Sequence, residues 1–396
     1  MTSTDTHTLR SAQDAAPERP LEGLLVVDLS QFLSGPYCSL RLADLGARVI
    51  KVERAGQGDL SRQLYLSDTE LGGDSTIFHA INRGKESLAL DLKDPADLAA
   101  LGRLVRQADV LIQNFRPGVA ERIGIGWEAM HALNPRLIYG SISGYGTDGA
   151  WVKLPGQDLL AQARSGLMWL SGDATQGPVP FGLAVGDMFA GVALSQGILA
   201  ALVRRGIDGK GRHVETSLLE ALVDLQFEVL TTWLNDGRRT PSRSATNGAH
   251  AYLGAPYGVY AAADGYLALA MTPLDKLAAL LELPALADRD PADAFRARDE
   301  IKALVGARVA ERPVADWLAV LQPADIWCSE VLDWHGLTGA DAFRRLDMLQ
   351  TVRRDDGVVI ETTRSPLTID GKRPGGGRAA PQVGEHSDAI RAEFGL

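Results

Sequence analysis

The chain has 396 residues, 45% of them apolar and 23% charged, enough for a large core spread over two or more domains. With 50 acidic against 40 basic side chains the formal charge is −10, which argues against a nucleic-acid partner or an anionic membrane. Cys38 and Cys328 are too few for a disulfide framework, and no CxxC spacing offers a zinc or redox site.

Residues 1–20 are polar and lack the apolar stretch of a signal peptide, so they read as a disordered tail. No apolar run reaches membrane-spanning length without a charge, and the chain is expected to be cytoplasmic. From Leu24, LLVVDLS reads as a buried strand, SGPYCSLRLADLG as a helix with Pro36 in its first turn, and RVIKVER as a second strand. Strand, helix and strand in about thirty residues make a βαβ unit with parallel pairing. A second unit follows in SLALDL, the helix DPADLAALGRLVRQAD and the strand VLIQNF; LIYGSISG is a further strand. The predicted fold is α/β, with an open Rossmann-like parallel sheet whose ligands bind at the carboxyl ends of the strands.

Helical patterns then cover roughly Asp158–Leu170 and Met188–Arg205, and a long helix is expected around Ser217–Leu234. Arg238–Gly248 reads as a linker. YGVYAAADGYLALAM reads as a hairpin on Ala263-Asp264-Gly265, and amphipathic helices after it complete a small α+β unit. The expected organisation is a large domain over 21–215, linker helices over 216–248, a small domain over 249–325, and a return of the chain to the large domain over 326–396.

Familiar catalytic signatures are missing. GSISG centres on Ile142 and is no nucleophile elbow; His213-Val214-Glu215 has no PCxxC partner; neither a GxGxxG nor a Walker sequence is present. Asp187 follows Gly186, which lets the backbone turn freely, at the start of a helical pattern, where a carboxylate is held ionised by free N–H groups. It reads either as an ordinary N-cap or as a nucleophile. Arg54, Lys93, Asn114-Phe115-Arg116 and Arg122 all follow strands on one edge of the sheet. Singly they read as solvated loop charges, and together as a site for a phosphorylated ligand.

Several stretches in order, LEGLLVVDLSQFLSGPYCSLRLADLGARVIKVERAGQGD, ADVLIQNFRPGVAERIGIGWEAMHALNPRLIYGSISGYG, GDMFAG, GKGRHVETSLLEA and the terminal VGEH, resemble the class III CoA-transferase family. The resemblance runs from about Leu21 to the end and is weakest between Arg238 and Met348. It implies Asp187 as the catalytic carboxylate and Asp158 as a second one, with a positioning or a capping role. It implies coenzyme A contacts at Leu33, Ser34, Arg54, Leu90, Lys93, Asn114, Phe115, Arg116 and Arg122, with Leu33-Ser34 beside the thioester and Gly35-Pro36 admitting the ligand. Coenzyme A thioester is then a substrate, together with small carboxylic acids, and no cofactor is permanently bound. An interlocked homodimer is also implied.

Racemases of the same fold carry a His directly before the second carboxylate, to move a proton next to the thioester carbonyl. Here that residue is Gln157, which has no usable pKa, so the expected reaction is CoA transfer. A racemase or a non-catalytic CoA-binding protein are the alternatives. The acids exchanged are not legible from these residues.

Overall fold

A computed structural model describes residues 19–287, 289–290, 292–375 and 377–396. Apart from Arg19 and Pro20, the tail expected over 1–20 lies outside the described residues. The chain divides into two compact units. One comprises the chain up to Ser143, Ala190–Thr216 and Asp347–Leu396; the other comprises Gly144–Phe189 and Ser217–Leu346. This differs from the expected run of the large domain to residue 215. The helix Asp158–Ser165 packs on the helix Leu218–Leu225, and this draws the stretch after the fifth strand into the second unit.

The first unit holds a six-stranded sheet. Its spatial order is Glu86–Leu90, Arg48–Arg54, Leu25–Asp28, Val110–Gln113, Ile138–Ser143 and Arg212–Ser217. Numbered along the chain, the order is 3-2-1-4-5-6, the dinucleotide-fold arrangement. Pairings among the first five are parallel, with Val26 opposite both Val49 and Val110. Burial on both faces explains why Leu25–Val27 and Val110–Ile112 are apolar at successive positions instead of alternating. Asp94 starts the helix Pro95–Val105 by accepting the Ala96 N–H at 2.7 Å. That helix packs Leu101 and Leu104 into a core with Val27, Ile50, Leu88 and Leu111, which Ile390 of the last helix joins.

The helix Val185–Asp208 begins in the second unit and ends in the first. Its 24 residues are long and apolar enough to cross a membrane by length and composition. Ala190, Leu194, Ile198 and Ala201 form a buried stripe at helical spacing. Leu194 and Ile198 press on strand residue Gly140 so closely that a Cβ there would stand 3.1–3.4 Å from them. This is the contact pattern of a core helix.

In the second unit, Cys328–Glu330, Tyr266–Leu269 and Gly258–Ala261 form a three-stranded antiparallel sheet, and the expected hairpin turn lies over 262–265. Tyr260, Leu267, Leu277, Ile301, Val305 and Trp317 form its core. The single helix expected around Ser217–Leu234 is two, Leu218–Leu225 and Phe227–Asn235. At the break the Gln226 side chain donates to the Leu222 carbonyl at 2.7 Å, while the Gln226 N–H turns to Val223 at 3.1 Å. The side chain thus takes the acceptor that a continuing helix would have used.

Candidate active site

Asp187 is the third residue of the helix Val185–Asp208, inside the first turn rather than at the cap. The carboxylate that meets the first N–H groups belongs to Asp158. Its Oδ1 accepts the Gly186 N–H at 2.7 Å and the Asp187 N–H at 3.3 Å. Its Oδ2 accepts Gln162 Nε2 at 2.6 Å. Gln162 is fixed in turn, because Nε2 donates to the Leu183 carbonyl at 2.9 Å and Oε1 accepts the Phe181 N–H at 3.0 Å. Asp158 therefore sits buried under the positive end of the helix and seats the backbone of Asp187. All these groups lie in the second unit.

Gly186 does not supply a free turn. Its backbone is helical, and its small size serves a close approach: a Cβ would stand 3.0 Å from Asp158 Oδ1 and 3.1 Å from Leu222 Cδ1. Gln157, exposed, is the cap residue of the helix Asp158–Ser165 and makes no capping bond through its side chain.

In the first unit, the sheet order reverses between Leu25–Asp28 and Val110–Gln113, and the chain segments leaving both strands meet there. Asn114 accepts the Gln31 N–H at 2.8 Å, donates to the Gln31 carbonyl at 2.7 Å and reaches Ser34 Oγ at 3.4 Å. Asn114 and Ser34, both named from the sequence, are thus brought together at the switch point where dinucleotide folds take their ligands. Leu33 caps the helix Ser34–Asp44 and is half-buried. A Cβ on Gly35 would collide with Ser30 Cβ at 2.2 Å, so the absence of a side chain there serves internal packing. Gly191, also in the first unit, lies one helical turn after Asp187. A Cβ on it would stand 2.6 Å from the Ser34 carbonyl oxygen and 3.2 Å from Cys38 N.

Arg54 ends its strand opposite Leu90, and Lys93, Arg116 and Arg122 follow other strands of the same parallel set. All four cations are exposed and have no side-chain ion pair or hydrogen bond among the described residues. They stand free to meet an anion at the carboxyl edge of the sheet. Leu90 differs. Its side chain is part of the core, leaving only its backbone for a ligand, and Phe115 is likewise packed partly against that core.

A profile described as CoA-transferase family III matches residues 21–387. The chain belongs to this family. The CoA-transferase is 35% identical to the acetyl-CoA:oxalate CoA-transferase of Acetobacter aceti, over 96% of its own length and 97% of that protein. It is 32% identical to the succinate–glutarate CoA-transferase of Agrobacterium fabrum, over 95% and 96%. The crystal structure of a CAIB/BAIF family protein from Brucella suis superposes with a TM-score of 0.82 at 30% identity, covering 96% of this chain and 100% of that one. It is an enzyme of CoA transfer between acyl-CoA and carboxylate, with coenzyme A as substrate. Among the described residues no three His, Cys, Asp or Glu side chains are grouped to hold a metal.

A buried ionic cluster beneath the switch point escaped the sequence reading. Lys85 Nζ lies 3.1 Å from Asp28 Oδ2, and Lys51 Nζ lies 2.7 Å from Asp59 Oδ2, with every side chain at most 1% exposed. Burial alone would raise the Asp28 carboxyl, but Lys85, Lys51 and the Ser30 and Ser39 hydroxyls outweigh it and hold it at about 2. Burial draws the Lys85 ammonium down to about 8 despite Asp28 beside it. A charge inside an apolar run was the available signal, at Lys51 in VIKVE and Asp28 in VVDLS. Gln162 was also missed; its signal was the one-turn spacing from Asp158.

Proposed function

We propose that this CoA-transferase moves CoA from a donor acyl-CoA to an acceptor carboxylic acid through covalent intermediates on Asp187. An Asp187 carboxylate oxygen attacks the thioester carbonyl; the C–S bond breaks, giving an acyl-aspartyl anhydride and CoA thiolate. The thiolate attacks the aspartyl carbonyl, the donor acid leaves as carboxylate, and an aspartyl-CoA thioester is formed. The acceptor carboxylate displaces thiolate from that thioester. Thiolate then attacks the acceptor acyl carbon of the new anhydride, which frees Asp187. No proton changes hands, so Gln157 in place of a His is no handicap here, whereas it removes the relay that a racemase needs.

The observation carrying this reading is the seating of Asp187. It stands in the first turn of a 24-residue helix, and a second carboxylate, Asp158, binds that turn's N–H groups. In this reading Asp158 positions Asp187, while Arg54, Lys93, Arg116 and Arg122 bind the phosphates of CoA, and Leu33, Ser34, Asn114, Phe115 and the Leu90 backbone line its path. The named acids of the two curated relatives, oxalate, succinate and glutarate, suggest a short dicarboxylic acid as acceptor or donor.

We also read the enzyme as a cytoplasmic interlocked homodimer, without nucleic-acid or membrane partners. The net charge of −10 supports the latter, and within the second unit the exposed apolar side chains Phe227, Trp327 and Trp334 support contact with a partner copy.

Asp187→Asn is expected to bind CoA and to transfer nothing. Incubation of the wild type with acyl-CoA and hydroxylamine should convert Asp187 to its hydroxamate, read by peptide mass spectrometry. Turnover of the Asn variant near the wild-type rate would remove the covalent scheme. Deuterium wash-in next to the thioester carbonyl, in the absence of any acceptor acid, would favour a racemase instead.

A further inference from the structure

Every backbone polar group of the turn Ser30–Phe32 that carries a bond in the structure is held by a side chain from another part of the first unit or by Asp28. Asp28 Oδ1 accepts the Ser30 N–H at 3.0 Å, and Lys51 Nζ donates to the Ser30 carbonyl at 2.9 Å. Asn114 holds both the N–H and the carbonyl of Gln31. Asp59 Oδ1 accepts the Phe32 N–H at 3.2 Å and the Ser61 N–H at 2.8 Å. Lys85 Nζ donates to the Pro36 carbonyl at 2.9 Å, and it also binds Asn82 Oδ1 at 2.8 Å. Ser39 Oγ donates to Asp28 Oδ2 at 2.5 Å.

The turn they hold is strained. Phe32 has φ +62°, in the left-handed region that a bulky side chain rarely adopts. Such a residue persists only where its surroundings over-determine it. Here two strands and the loops after two strands supply the constraint: Lys51 from Arg48–Arg54 and Asp59 after it, Asp28 from Leu25–Asp28, and Asn114 after Val110–Gln113.

Stability alone does not call for this arrangement. Taking two carboxylates and two ammonium groups out of water costs much of what their pairing returns, and well-packed apolar residues serve as well or better. An apolar quartet, however, would offer no donors or acceptors to the turn.

We propose that Asp28, Lys51, Asp59 and Lys85 are positioning residues for CoA transfer, fixing the strained turn so that Leu33 and Ser34 stand at the thioester in one conformation. This rests on the proposed CoA transfer and on the place beside the thioester that the family resemblance implies for Leu33-Ser34. All four side chains are at most 1% exposed, so they act through the backbone of residues 30–36, where a misplacement of about 1 Å at the reacting groups can cost about a hundredfold in rate.

The test is the paired replacement Lys51→Met with Asp59→Leu, which removes both charges together and leaves neither unpaired. The Ser30 carbonyl and the Phe32 and Ser61 N–H groups lose their partners, so the unfolding midpoint is expected to drop with the variant still folded, while the CoA dissociation constant stays near wild type because Arg54, Lys93, Arg116 and Arg122 are untouched. The kcat for transfer should fall at least tenfold. Asp59→Asn keeps an oxygen for the Phe32 N–H and should lose less, between two- and tenfold; it carries the test if the double variant does not fold. A folded variant with wild-type kcat overturns the proposal. Absence of transfer in the wild type itself, over a panel of acyl-CoA donors and dicarboxylic acids, would instead sink the reading on which it rests.

Discussion

Replacing Asp158 by Ala tests whether one carboxylate seats the helix that carries Asp187. The replacement removes the acceptor for the Gly186 N–H at 2.7 Å, the Asp187 N–H at 3.3 Å and Gln162 Nε2 at 2.6 Å. Hydrogen bonds to a charged group contribute about 1.5–3 kcal/mol each when short, and the carboxylate's position at a helix N-terminus adds about 0.3–1 kcal/mol. The 3.3 Å bond is the weakest of the three, and Gln162 keeps its bond to the Leu183 carbonyl. Since losses in one network do not add, the expected cost is about 3 kcal/mol.

Asp158→Asn is not a gentle substitute. Its NH2 group would face the Gln162 NH2 group, and Gln162 cannot reverse its amide without breaking its bonds to Phe181 and Leu183. The Asn variant should therefore also lose about 1–2 kcal/mol, although one oxygen remains for Gly186. Urea unfolding read by far-UV circular dichroism gives the stability of each variant, and coupled detection of released or transferred CoA gives its turnover. Turnover should fall with stability in both. An Ala variant within about 0.5 kcal/mol of wild type, in the range of an ordinary surface change, would refute the reasoning.

Two further outcomes follow from charges in the first unit. Asp28 is fully buried with its carboxyl held at about 2 instead of the ordinary 3.8, so the stability it brings is complete above pH 3.8 and is lost as pH falls through 2. That difference amounts to about 2 kcal/mol, and acid titration of Asp28→Asn should show a stability loss smaller by this amount between pH 4 and 2; parallel curves would refute it. Arg54→Ala should weaken CoA binding about fivefold, or about 1 kcal/mol, and flatten its salt dependence, because an exposed cation facing phosphate is partly screened. Arg54 has no protein partner to lose among the described residues, so an altered unfolding midpoint with unchanged CoA affinity would contradict its assignment.

Much of the sheet was legible because parallel strands buried on both faces leave continuous apolar runs, and LVVD, VLIQ and IYGSIS each fall on a strand. The carboxyl-edge cations were legible for a related reason: once strands are parallel, residues following them share an edge. What failed was local reasoning about glycine. Gly186 reads as a free turn, yet its backbone is helical and it is small because Asp158 and Leu222 lie against it; Gly35 is likewise small because Ser30 lies against it. Those neighbours are set by tertiary packing, which spacing does not report. The same holds for Asp158, which meets the helix of Asp187 at Gly186, 28 positions further along the chain. Gln226 broke a helix that its periodicity had continued, through a side-chain bond that no propensity scale contains.

The first unit is assembled from three separated stretches of chain, and its core includes Ile390, with Phe394 and Leu396 packed against it. Its closing bonds are equally late: the His386 N–H reaches the Ser87 carbonyl at 3.1 Å, and the Gly384 N–H reaches Ser87 Oγ at 2.8 Å. During synthesis from the N-terminus, those bonds must therefore wait until residues 384–396 have left the ribosome. The cluster from Ala255 to Ile326 has all its members in hand well before that point. The nascent chain thus completes the later-encoded core first, and the exposed strands of the earlier one are what a chaperone would have to shelter meanwhile.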